Sequence, residues 1–512
     1  MQSNILHYFE KGAALEHPDK IAIVDGAVSY TFAELERLAK RCAACLIARA
    51  DVLHQPIAVF LPKSASVVIA DLGIAYSGNI YTNLDTKSPL QRLKNILASI
   101  VPHTIITSRD LIDTLLAAGM AADQLFCIDD VDDDRVVADN TILWKRLAAV
   151  IDTDPLCLIN TSGSTGTPKS VVLSHRGTID FMDWVFATFD LGSRAVIGSL
   201  SPFHFDIFTL ELNLCLAKGA TLVIIPEPLA IFPVRLLEYI AREQVTFLFW
   251  VPSIMVNIAN LGLLEKLPLP ALTDVFFAGE VFPTRHLNQW RRALPVTRFV
   301  NLYGPIEIHV DCTYFVVDRL FDDDQPLPIG FACRNTDILL LNDSNGLCQS
   351  GEQGELCVRG SSLALGYWND PDKTAKAFVQ NPLNSRYPEL IYRTGDLAWR
   401  SPAGEIYLAG RKDFQIKHMG YRIELSEIEH QVLCITGIAN ACVLYQHENK
   451  EITLFYQSLG EPVTSATIRQ KLAEIFPKYM LPTVFHPMDR LPQNANGKID
   501  RNALSLSIQQ GR

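Results

Sequence analysis

The sequence has little positive charge and no long uninterrupted apolar run. Lysine and arginine total 45 residues against 56 aspartates and glutamates, so the formal net charge is −11. Without an excess of basic residues there is no positive field to attract a phosphate backbone, which argues against a nucleic-acid partner. The start lacks the basic and then apolar pattern of a signal peptide, and Asp71, Asp85 or Lys87 interrupts each candidate membrane span around 57–85. We therefore expect a soluble, cytoplasmic protein that does not bind a membrane.

The chain also lacks the paired cysteine spacing of zinc or redox motifs. Its 11 cysteines are dispersed, and the one close pair, Cys42 and Cys45, lies in an alanine-rich stretch with a helical pattern. No second pair lies nearby to complete a ligand set. The pattern favours buried thiols in a reducing compartment.

The order of short apolar runs and helical patterns predicts an α/β protein. At about 100–200 residues per domain, 512 residues suggest three or four units. Runs such as VVLS at 171–174 and LFWV at 248–251 are too short for long helices and are typical of strands buried on both faces. Near residue 410 the sequence becomes rich in charge and glycine, which predicts a domain boundary there.

The segment TSGSTGTPKS at 161–170 has the composition of a phosphate cradle. Its glycines alternate with hydroxyl residues and are followed by Lys169. Glycine lets backbone N–H groups approach phosphate oxygens, the hydroxyls add donors, and the ammonium neutralises charge. The spacing is not that of the Walker motif. A flexible linker is the alternative for this string alone.

Nine further segments occur in order with that loop, and together they resemble the adenylate-forming superfamily of acyl- and aryl-CoA synthetases, luciferases and nonribosomal adenylation domains. The resemblance is greatest to stand-alone enzymes that adenylate amino acids. The segments are SYTFAEL at 29–35, AYSGNIYTNLD at 75–85, FHFDIF at 203–208, NLYGPIE at 301–307, GELCVRGSSLALGYWND at 354–370, YRTGDL at 392–397, GRKDFQIKHMGYRIE at 410–424, FPKYMLP at 476–482 and NGKID at 496–500.

The resemblance implies a multidomain α/β fold. The N-terminal part, residues 1–410, would contain two α/β subdomains and a distorted β-barrel and would bind ATP and the amino acid. Residues 411–512 would form a small, mobile α+β lid, with Asp413 as its hinge.

The resemblance also implies how ATP and Mg²⁺ would be bound. Tyr303 would pack on adenine, Asp396 would bind the ribose hydroxyls with Arg411 nearby, and Glu307 would hold Mg²⁺. Lys498, in NGKID, would enter from the lid and stabilise the charge that moves between carboxylate and α-phosphate. Lys498, Glu307 and Lys169 are thus the expected catalytic residues. The full nucleotide set is Thr161, Ser162, Gly163, Ser164, Thr165, Gly166, Lys169, Gly279, Glu280, Asn301, Tyr303, Gly304, Asp396, Arg411 and Lys498.

A substrate with an amine is indicated by Asp206, which follows Phe205 in the segment at 203–208. In family members that act on amino acids, an aspartate here pairs with the α-ammonium group, and a buried carboxylate without a cation is costly. Matching the motifs to those of the family gives a small, mostly apolar pocket. The acidic side chain of Asp311 is unusual in such a pocket. Asp311 could point away, bond a nearby donor or meet a second amine. The expected pocket residues are Phe205, Asp206, Ile207, Leu210, Phe249, Phe276, Ala278, Leu302, Val310 and Asp311.

The pocket is most similar to that of L-prolyl ligases that load carrier proteins, so the first expectation is activation of L-proline or another small amino acid. The product would pass to the phosphopantetheine thiol of a separate carrier protein, because no carrier motif follows NGKID. A D-alanine ligase of the same type and an acyl-CoA ligase are alternatives. Ile306 replaces the threonine usual in the family, which leaves a catalytically weak nucleotide-binding regulator as a further alternative.

Overall fold

The computed structural model describes residues 3–131, 138–162, 168–447, 449–493 and 499–510. Within them the strands are β1 Ile21–Asp25, β2 Val28–Thr31, β3 Pro56–Phe60, β4 Ile80–Asn83, β5 Thr104–Thr107, β6 Leu125–Cys127, β7 Pro155–Thr161, β8 Lys169–Ser174, β9 Val196–Ser199, β10 Thr221–Ile224, β11 Phe247–Trp250, β12 Asp274–Phe277, β13 Arg298–Tyr303, β14 Thr313–Val316, β15 Phe331–Ala332, β16 Thr336–Leu341, β17 Gln353–Gly360, β18 Gly366–Tyr367, β19 Phe378–Gln380, β20 Leu390–Arg400, β21 Ile406–Arg411, β22 Gln415–His418, β23 Tyr421–Glu424, β24 Ile438–Gln446, β25 Glu451–Ser458 and β26 Val484–Pro487.

The α-helices alternate with these strands over much of the chain. They are α1 Leu6–Lys11, α2 Ala13–Glu16, α3 Phe32–Arg49, α4 Ala65–Tyr76, α5 Leu90–Ile100, α6 Ile112–Ala117, α7 Asn140–Ala149, α8 His175–Thr188, α9 Ile207–Lys218, α10 Pro233–Arg242, α11 Pro252–Asn260, α12 Thr284–Ala293, α13 Pro371–Ala377, α14 Leu425–Leu433, α15 Ser465–Ala473 and α16 Arg501–Gln510. None of the helices in the described ranges has the length and apolar character needed to span a membrane.

Two large mixed sheets form the framework. The first has nine strands in the order β15-β14-β13-β12-β11-β9-β10-β1-β2, and the second has seven in the order β18-β8-β7-β4-β3-β5-β6. From β13 to β1 the first sheet is parallel, and the second is parallel from β7 to β6. The runs FLFW of β11 and DVFF of β12 are buried at every position, as expected for parallel strands covered on both faces.

A five-stranded antiparallel sheet follows, and its path runs β16-β17-β20-β19 with β21 paired to β20. It occupies the place where the sequence predicted a distorted barrel, and the prediction of a multidomain α/β fold is confirmed. Strand β21 extends through residue 410 to Arg411, and Asp413 lies between β21 and β22. The described chain therefore leaves the last large sheet after Arg411.

Residues after Asp413 have a hydrophobic core of their own, which includes Ile423, Ile428, Val443 and Leu454. A two-stranded hairpin, β22–β23, precedes a three-stranded sheet of order β24-β25-β26. We call residues 1–410 the body, residues 411–512 the lid, and Gln415–Glu424 the hairpin. The division at residue 410 and the mobility of the lid remain predictions.

Candidate functional site

A cavity opens where parallel strands of both large sheets end. Val251 follows β11, Gly279 lies just after β12, Gly304 follows β13, and Thr161 ends β7. Ligands of open α/β sheets bind at the carboxyl ends of the strands. The cavity encloses about 1260 Å³ of space, part of which is open to solvent, and the hairpin lies along one side of it.

Asp206 lines this cavity at the start of α9. Its Oδ1 accepts a hydrogen bond from the backbone N–H of Ile207 at 2.9 Å, so the carboxylate caps the helix. Burial raises the pKa of Asp206 to about 6, and the positive charge of Lys417 acts in the opposite direction. The carboxylate is therefore mostly ionised at neutral pH, where a cation in the cavity would compensate its charge.

Asp311 is a second acid in the same cavity, and it is 2% exposed. Its Oδ2 has no hydrogen-bond partner among the described residues. Burial is the largest cause that raises the pKa of Asp311 well above its usual value, and the nearby charge of Asp206 adds to it. Lys417 lines the cavity as well and is the cation that opposes both shifts. No role for Lys417 was expected from the sequence.

The loop that carries Asp311 has an unusual backbone. His309 and Val310 adopt φ of 55° and 62°, a region that side chains, and above all a β-branched valine, rarely occupy. The ring of His309 holds this conformation: Nδ1 lies 2.7 Å from the carbonyl oxygen of Ser362, and the N–H of Ser174 donates to Nε2 at 3.0 Å. Burial lowers the pKa of His309, which keeps the imidazole neutral.

The space for that ring exists because residue 177 is glycine. A Cβ on Gly177 would lie 2.2 Å from a ring carbon of His309. Neither residue was assigned to the site from the sequence. A histidine between two predicted pocket residues was the available signal, but its partners lie 53 and 135 positions away in the chain.

The predicted pocket residues divide into two groups. Some line the cavity directly: Phe205, Asp206, Ile207, Ala278, Val310 and Asp311. Others are buried behind this lining and do not border the cavity: Leu210, Phe249, Phe276 and Leu302. The ring of Phe276 packs edge-on against Phe189, Phe247 and Phe249, as a core residue does. The accessible pocket is thus shallower than the full predicted set suggests, and the direct role of the second group remains a prediction.

Tyr303, Asp396 and Arg411 converge at the opposite part of the cavity. The hydroxyl of Tyr303 donates to Oδ2 of Asp396 at 2.5 Å, and the guanidinium of Arg411 donates to Oδ1 at 2.6 Å. Arg411 also forms an ion pair with Asp413, the predicted hinge residue. Three residues expected near the nucleoside therefore share one network at the junction of body and lid.

Two other predicted nucleotide residues have structural partners. Glu280 joins body to hairpin, because Oε2 accepts from the N–H of Ser253 at 2.9 Å and Oε1 from that of Gly420 at 2.8 Å. The side-chain amide of Asn301 donates to the carbonyl oxygen of Pro328 at 2.8 Å, and Asn301 does not border the cavity. Gly279 has a φ of 91°, which explains the need for glycine there.

Glu307 is fully buried at the centre of a charged cluster. Its Oε1 accepts hydrogen bonds from Nζ of Lys169 at 3.2 Å and the hydroxyl of Tyr367 at 2.8 Å, and its Oε2 accepts from Arg422 at 2.8 Å. Burial alone would raise the pKa of Glu307, but the charges of Arg422 and Lys169 reverse this and lower it. The pKa of Lys169 is lowered, mainly because burial disfavours the charged form of its ammonium group.

Both carboxylate oxygens of Glu307 are therefore already engaged. A Mg²⁺ ligand must present a carboxylate oxygen at about 2.0–2.1 Å from the ion. With the hairpin in this position, hydrogen-bond donors contact both oxygens of Glu307, and its role as the Mg²⁺ ligand remains a prediction.

Five members of the predicted phosphate and catalytic set lie outside the described residues. They are Gly163, Ser164, Thr165, Gly166 and Lys498. Thr161 and Ser162, which lead into the same loop, border the cavity.

The match to a family model follows the same part of the molecule. Residues 10–368 match the model described as AMP-binding enzyme. The chain belongs to the family of AMP-binding enzymes. The predicted membership of the adenylate-forming superfamily is thereby confirmed.

Among curated proteins, this AMP-binding enzyme is similar to segments of larger synthases. It is 32% identical to bacitracin synthase 3 of Bacillus licheniformis over 508 residues, which cover 98% of this chain and 8% of that protein. It is 30% identical to tyrocidine synthase 1 of Brevibacillus parabrevis over 506 residues, with coverage of 98% and 45%. The chain thus spans less than half of either relative.

Solved structures show the same fold. One is the adenylation domain AlmE of Vibrio cholerae, solved in complex with glycyl-adenosine-5'-phosphate. Its TM-score is 0.86 at 21% identity, and the match covers 100% of this chain and 98% of AlmE. An artificially fused adenylation–PCP di-domain, NpsA-ThdA from Klebsiella oxytoca, has a TM-score of 0.80 at 22% identity, with coverage of 95% of this chain and 94% of that one.

Proposed function

We propose that this AMP-binding enzyme activates a small amino acid with ATP as an aminoacyl-AMP and transfers it to the phosphopantetheine thiol of a separate carrier protein. The single observation that carries the proposal is Asp206. Its carboxylate borders the cavity and has a pKa of about 6.

Burial raises the pKa of Asp206 even though the charge of Lys417 opposes the shift, so a further cation in the cavity would lower the cost of the buried charge. A substrate ammonium supplies such a cation and forms a charge-assisted hydrogen bond, which is worth more than a neutral one. A fatty or aryl acid would bring no positive charge. Related proteins agree with this choice: AlmE was solved with glycyl-adenosine-5'-phosphate, and the relatives include tyrocidine synthase 1 and gramicidin S synthase 2.

Among amino acids, we propose L-proline as the first candidate. Ile207, Ala278 and Val310 give the accessible pocket an apolar wall, and buried Leu210 and Phe276 close it from behind. A compact apolar side chain fits such a pocket. D-alanine is the alternative on the same grounds of size.

A second candidate substrate is a small diamino acid, and one observation favours it. Oδ2 of Asp311 has no hydrogen-bond partner among the described side chains and backbone groups. Two acids in one cavity would pair with two ammonium groups on one substrate, whereas proline would leave Asp311 without an ammonium partner.

For the nucleotide, we propose that Tyr303 contacts adenine and that Asp396, oriented by Arg411, binds the ribose hydroxyls. Lys169 would bind phosphate oxygens, and Lys498 would stabilise the transition state of adenylation. We propose ATP as co-substrate and Mg²⁺ as the ion that offsets its phosphate charge. Asp413 is proposed as the hinge of the lid.

For the location, we propose the cytoplasm. The free thiols of all 11 cysteines agree with this location.

Substrate-dependent exchange of pyrophosphate into ATP tests the first step. We expect exchange with L-proline, and the panel includes D-proline, L- and D-alanine, 2,3-diaminopropionate and simple carboxylic acids. Exchange with fatty or aryl acids but no amino acid would contradict the role of Asp206. ATP binding without any exchange would favour a regulator.

Transfer to a thiol tests the second step. Labelled amino acid is incubated with ATP, the enzyme and one acceptor, which is holo carrier, apo carrier or coenzyme A. We expect label only on the holo carrier. Label on coenzyme A alone would assign the chain to the acyl-CoA ligases.

Replacing Lys498 tests the proposed division of labour between the two steps. Lys498→Ala should abolish adenylation, with a loss on the order of 10²–10³-fold or more, yet largely spare transfer from a pre-formed adenylate. Equal loss of both steps would contradict that assignment.

A further inference from the structure

Asp71 of α4 and Asn83 of β4 form a buried polar pair next to the segment that carries Asp206. Helix α4 is buried at every position from Val67 to Tyr76, and Asp71 itself is 2% exposed. The side-chain amide of Asn83 donates to Oδ2 of Asp71 at 2.9 Å. An acid inside such an apolar helix is costly unless it has a specific partner.

The same amide also holds the start of the segment 203–206. Its nitrogen donates to the carbonyl oxygen of Phe203 at 3.3 Å, and because a backbone carbonyl only accepts, this contact fixes the orientation of the amide. The ring of Phe203 stacks on that of Phe208, with centroids 3.7 Å apart. Asn83 and Asp206 both border the cavity. The pair is therefore placed to determine how the segment presents Asp206.

Two buried oxygens of this pair have no donor within the described parts of the chain, Oδ1 of Asp71 and Oδ1 of Asn83. Both are acceptors when Asp71 is ionised, so neither can satisfy the other. A proton on Oδ1 of Asp71 changes this, because the acid O–H can then donate to the amide oxygen. The two side chains would form a ring of two hydrogen bonds, from N–H to Oδ2 and from O–H to Oδ1.

The surroundings of Asp71 favour the protonated form. Burial raises the pKa of Asp71 to about 8, although the hydrogen bond from Asn83 acts in the opposite direction. Cys42 of α3, Tyr81 of β4 and Cys157 of β7 face it, and burial raises the pKa of each, so all three are neutral at pH 7. Charged groups of the elements packed against α4 act at the two ends of the helix. They are Glu10 of α1, Asp25 of β1, Glu36 and Lys40 of α3, and Arg146 of α7.

We propose that Asp71, as a neutral carboxylic acid, forms a cyclic hydrogen-bonded pair with Asn83 and that this pair positions the segment 203–206 for recognition of the substrate amine. Asp71 and Asn83 are thus positioning residues that act through Asp206. The inference deepens the proposed function and rests on it for the role of Asp206. Ionisation of Asp71 would set two acceptor oxygens against each other and weaken the hold of the amide on Phe203.

Hydrogen exchange in the unliganded protein tests the positioning without any substrate. The N–H of Phe205 donates to the carbonyl oxygen of Pro202 at 3.0 Å, and that of Thr209 to Asp206 at 2.8 Å, so both amides report the order of the segment. We expect Asp71→Leu to accelerate exchange across 203–209 at least about fivefold, the value of one hydrogen bond, while the paired strands β24 and β25 keep their protection.

Asp71→Asn is the matched variant, because asparagine has the shape of the neutral acid. Its amide nitrogen can donate to Oδ1 of Asn83 where the acid O–H does, and its oxygen can accept from the amide of Asn83. We expect slow hydrogen exchange across 203–209 to be restored in Asp71→Asn. Unchanged hydrogen exchange in Asp71→Leu, or no restoration in Asp71→Asn, would overturn the proposal.

Steady-state constants separate positioning from a general loss of stability. Asp71→Leu should raise KM for the amino acid at least about fivefold and leave KM for ATP near the wild-type value, because the segment 203–206 carries the amine ligand. Asp71→Asn should restore KM for the amino acid. Equal changes in both constants for Asp71→Leu would overturn the positioning role.

The pH profile tests the protonation state of Asp71. With a pKa of about 8, Asp71 is mostly neutral at pH 7, and about one tenth remains neutral at pH 9. From pH 7 to pH 9, KM for the amino acid should therefore rise up to about tenfold more in the wild type than in Asp71→Asn. Titration of the substrate amine affects both proteins equally and cancels in the comparison. Asp139→Asn, which changes an exposed helix cap, should follow the wild type. Parallel profiles for the wild type and Asp71→Asn would overturn the proposal.

The hydrogen-exchange measurement requires no substrate, so its outcome is independent of the proposed function. Faster hydrogen exchange in Asp71→Leu and its restoration in Asp71→Asn, combined with no amino-acid-dependent pyrophosphate exchange, would retain the pair and reject the proposed substrate class. Amino-acid-dependent pyrophosphate exchange with unchanged hydrogen exchange in Asp71→Leu would do the reverse.

Discussion

Replacing Asp206 by asparagine should remove amino-acid recognition and leave the fold intact. The amide oxygen of asparagine can still accept from the N–H of Ile207, since asparagine caps helices as well as aspartate does. Burial raises the pKa of Asp206, which means that the folded protein disfavours the charged form. The folded state therefore holds this proton up to higher pH than the unfolded chain, and the charge costs stability above about pH 6. Asp206→Asn should accordingly unfold no earlier than the wild type at pH 7.

The effect on activity should be large. Removing one member of a buried, hydrogen-bonded charge pair costs about 2–5 kcal/mol, so kcat/KM for the amino acid should fall by about 30-fold or more. Asp139→Asn is the matched control, because Asp139 caps α7 by accepting from the N–H of Thr141 and is exposed outside the cavity. Pyrophosphate exchange over a range of amino-acid concentrations measures both variants.

The same carboxylate predicts a pH dependence. With a pKa of about 6 in the unliganded enzyme, Asp206 is protonated below that pH and no longer attracts an ammonium group. Amino-acid affinity should thus be about tenfold weaker at pH 5 than at pH 7. The Asp206→Asn variant should show no such change. A variant with unaltered kcat/KM, or one that retains the wild-type pH profile, would refute the assignment of Asp206 as the amine ligand.

Three further changes test other parts of the site. Ile306→Thr restores a hydroxyl usual in the family and should raise the exchange rate by about fivefold, the value of one hydrogen bond, while a lower rate would argue against that account. Gly177→Ala brings a methyl group to 2.2 Å from His309 and should cost about 1–3 kcal/mol in urea unfolding, which an unchanged midpoint would exclude. Arg92→Met removes the guanidinium from a buried ion pair between body and lid, so trypsin should cut 411–414 at least about tenfold faster, and an unchanged rate would contradict docking through this pair.

The sequence predicted the parts of the site that depend on chain order and strand ends. Asp206 follows a short loop into α9, and Tyr303 ends a parallel strand, so both reach the same edge of the framework. The sequence around Asp206 and Tyr303 was therefore sufficient to predict that they border the site. Asp396 and Arg411 were predicted to lie near the same sugar, and the pairing of β20 with β21 places them opposite each other.

The sequence could not predict contacts that depend on packing between distant segments. The ring of His309 is held by hydrogen bonds with Ser174 and Ser362, and there is space for it only because Gly177 has no side chain. One of the partners of Glu307 belongs to the lid, so the contact with Arg422 could not be inferred from residue spacing. Burial of Phe276 within an aromatic cluster likewise follows from neighbouring strands and helices rather than from its own segment.

The most direct test of the central claim compares two substrates that differ only in the amine. L-Proline and cyclopentanecarboxylate have rings of the same size and the same carboxylate, and pyrophosphate exchange is measured with each under identical conditions. If proline is the substrate, we predict exchange with proline and little or none with cyclopentanecarboxylate, and the corresponding pair is used if the panel identifies another amino acid. Equal exchange with both members of the pair would contradict recognition of an ammonium group by Asp206.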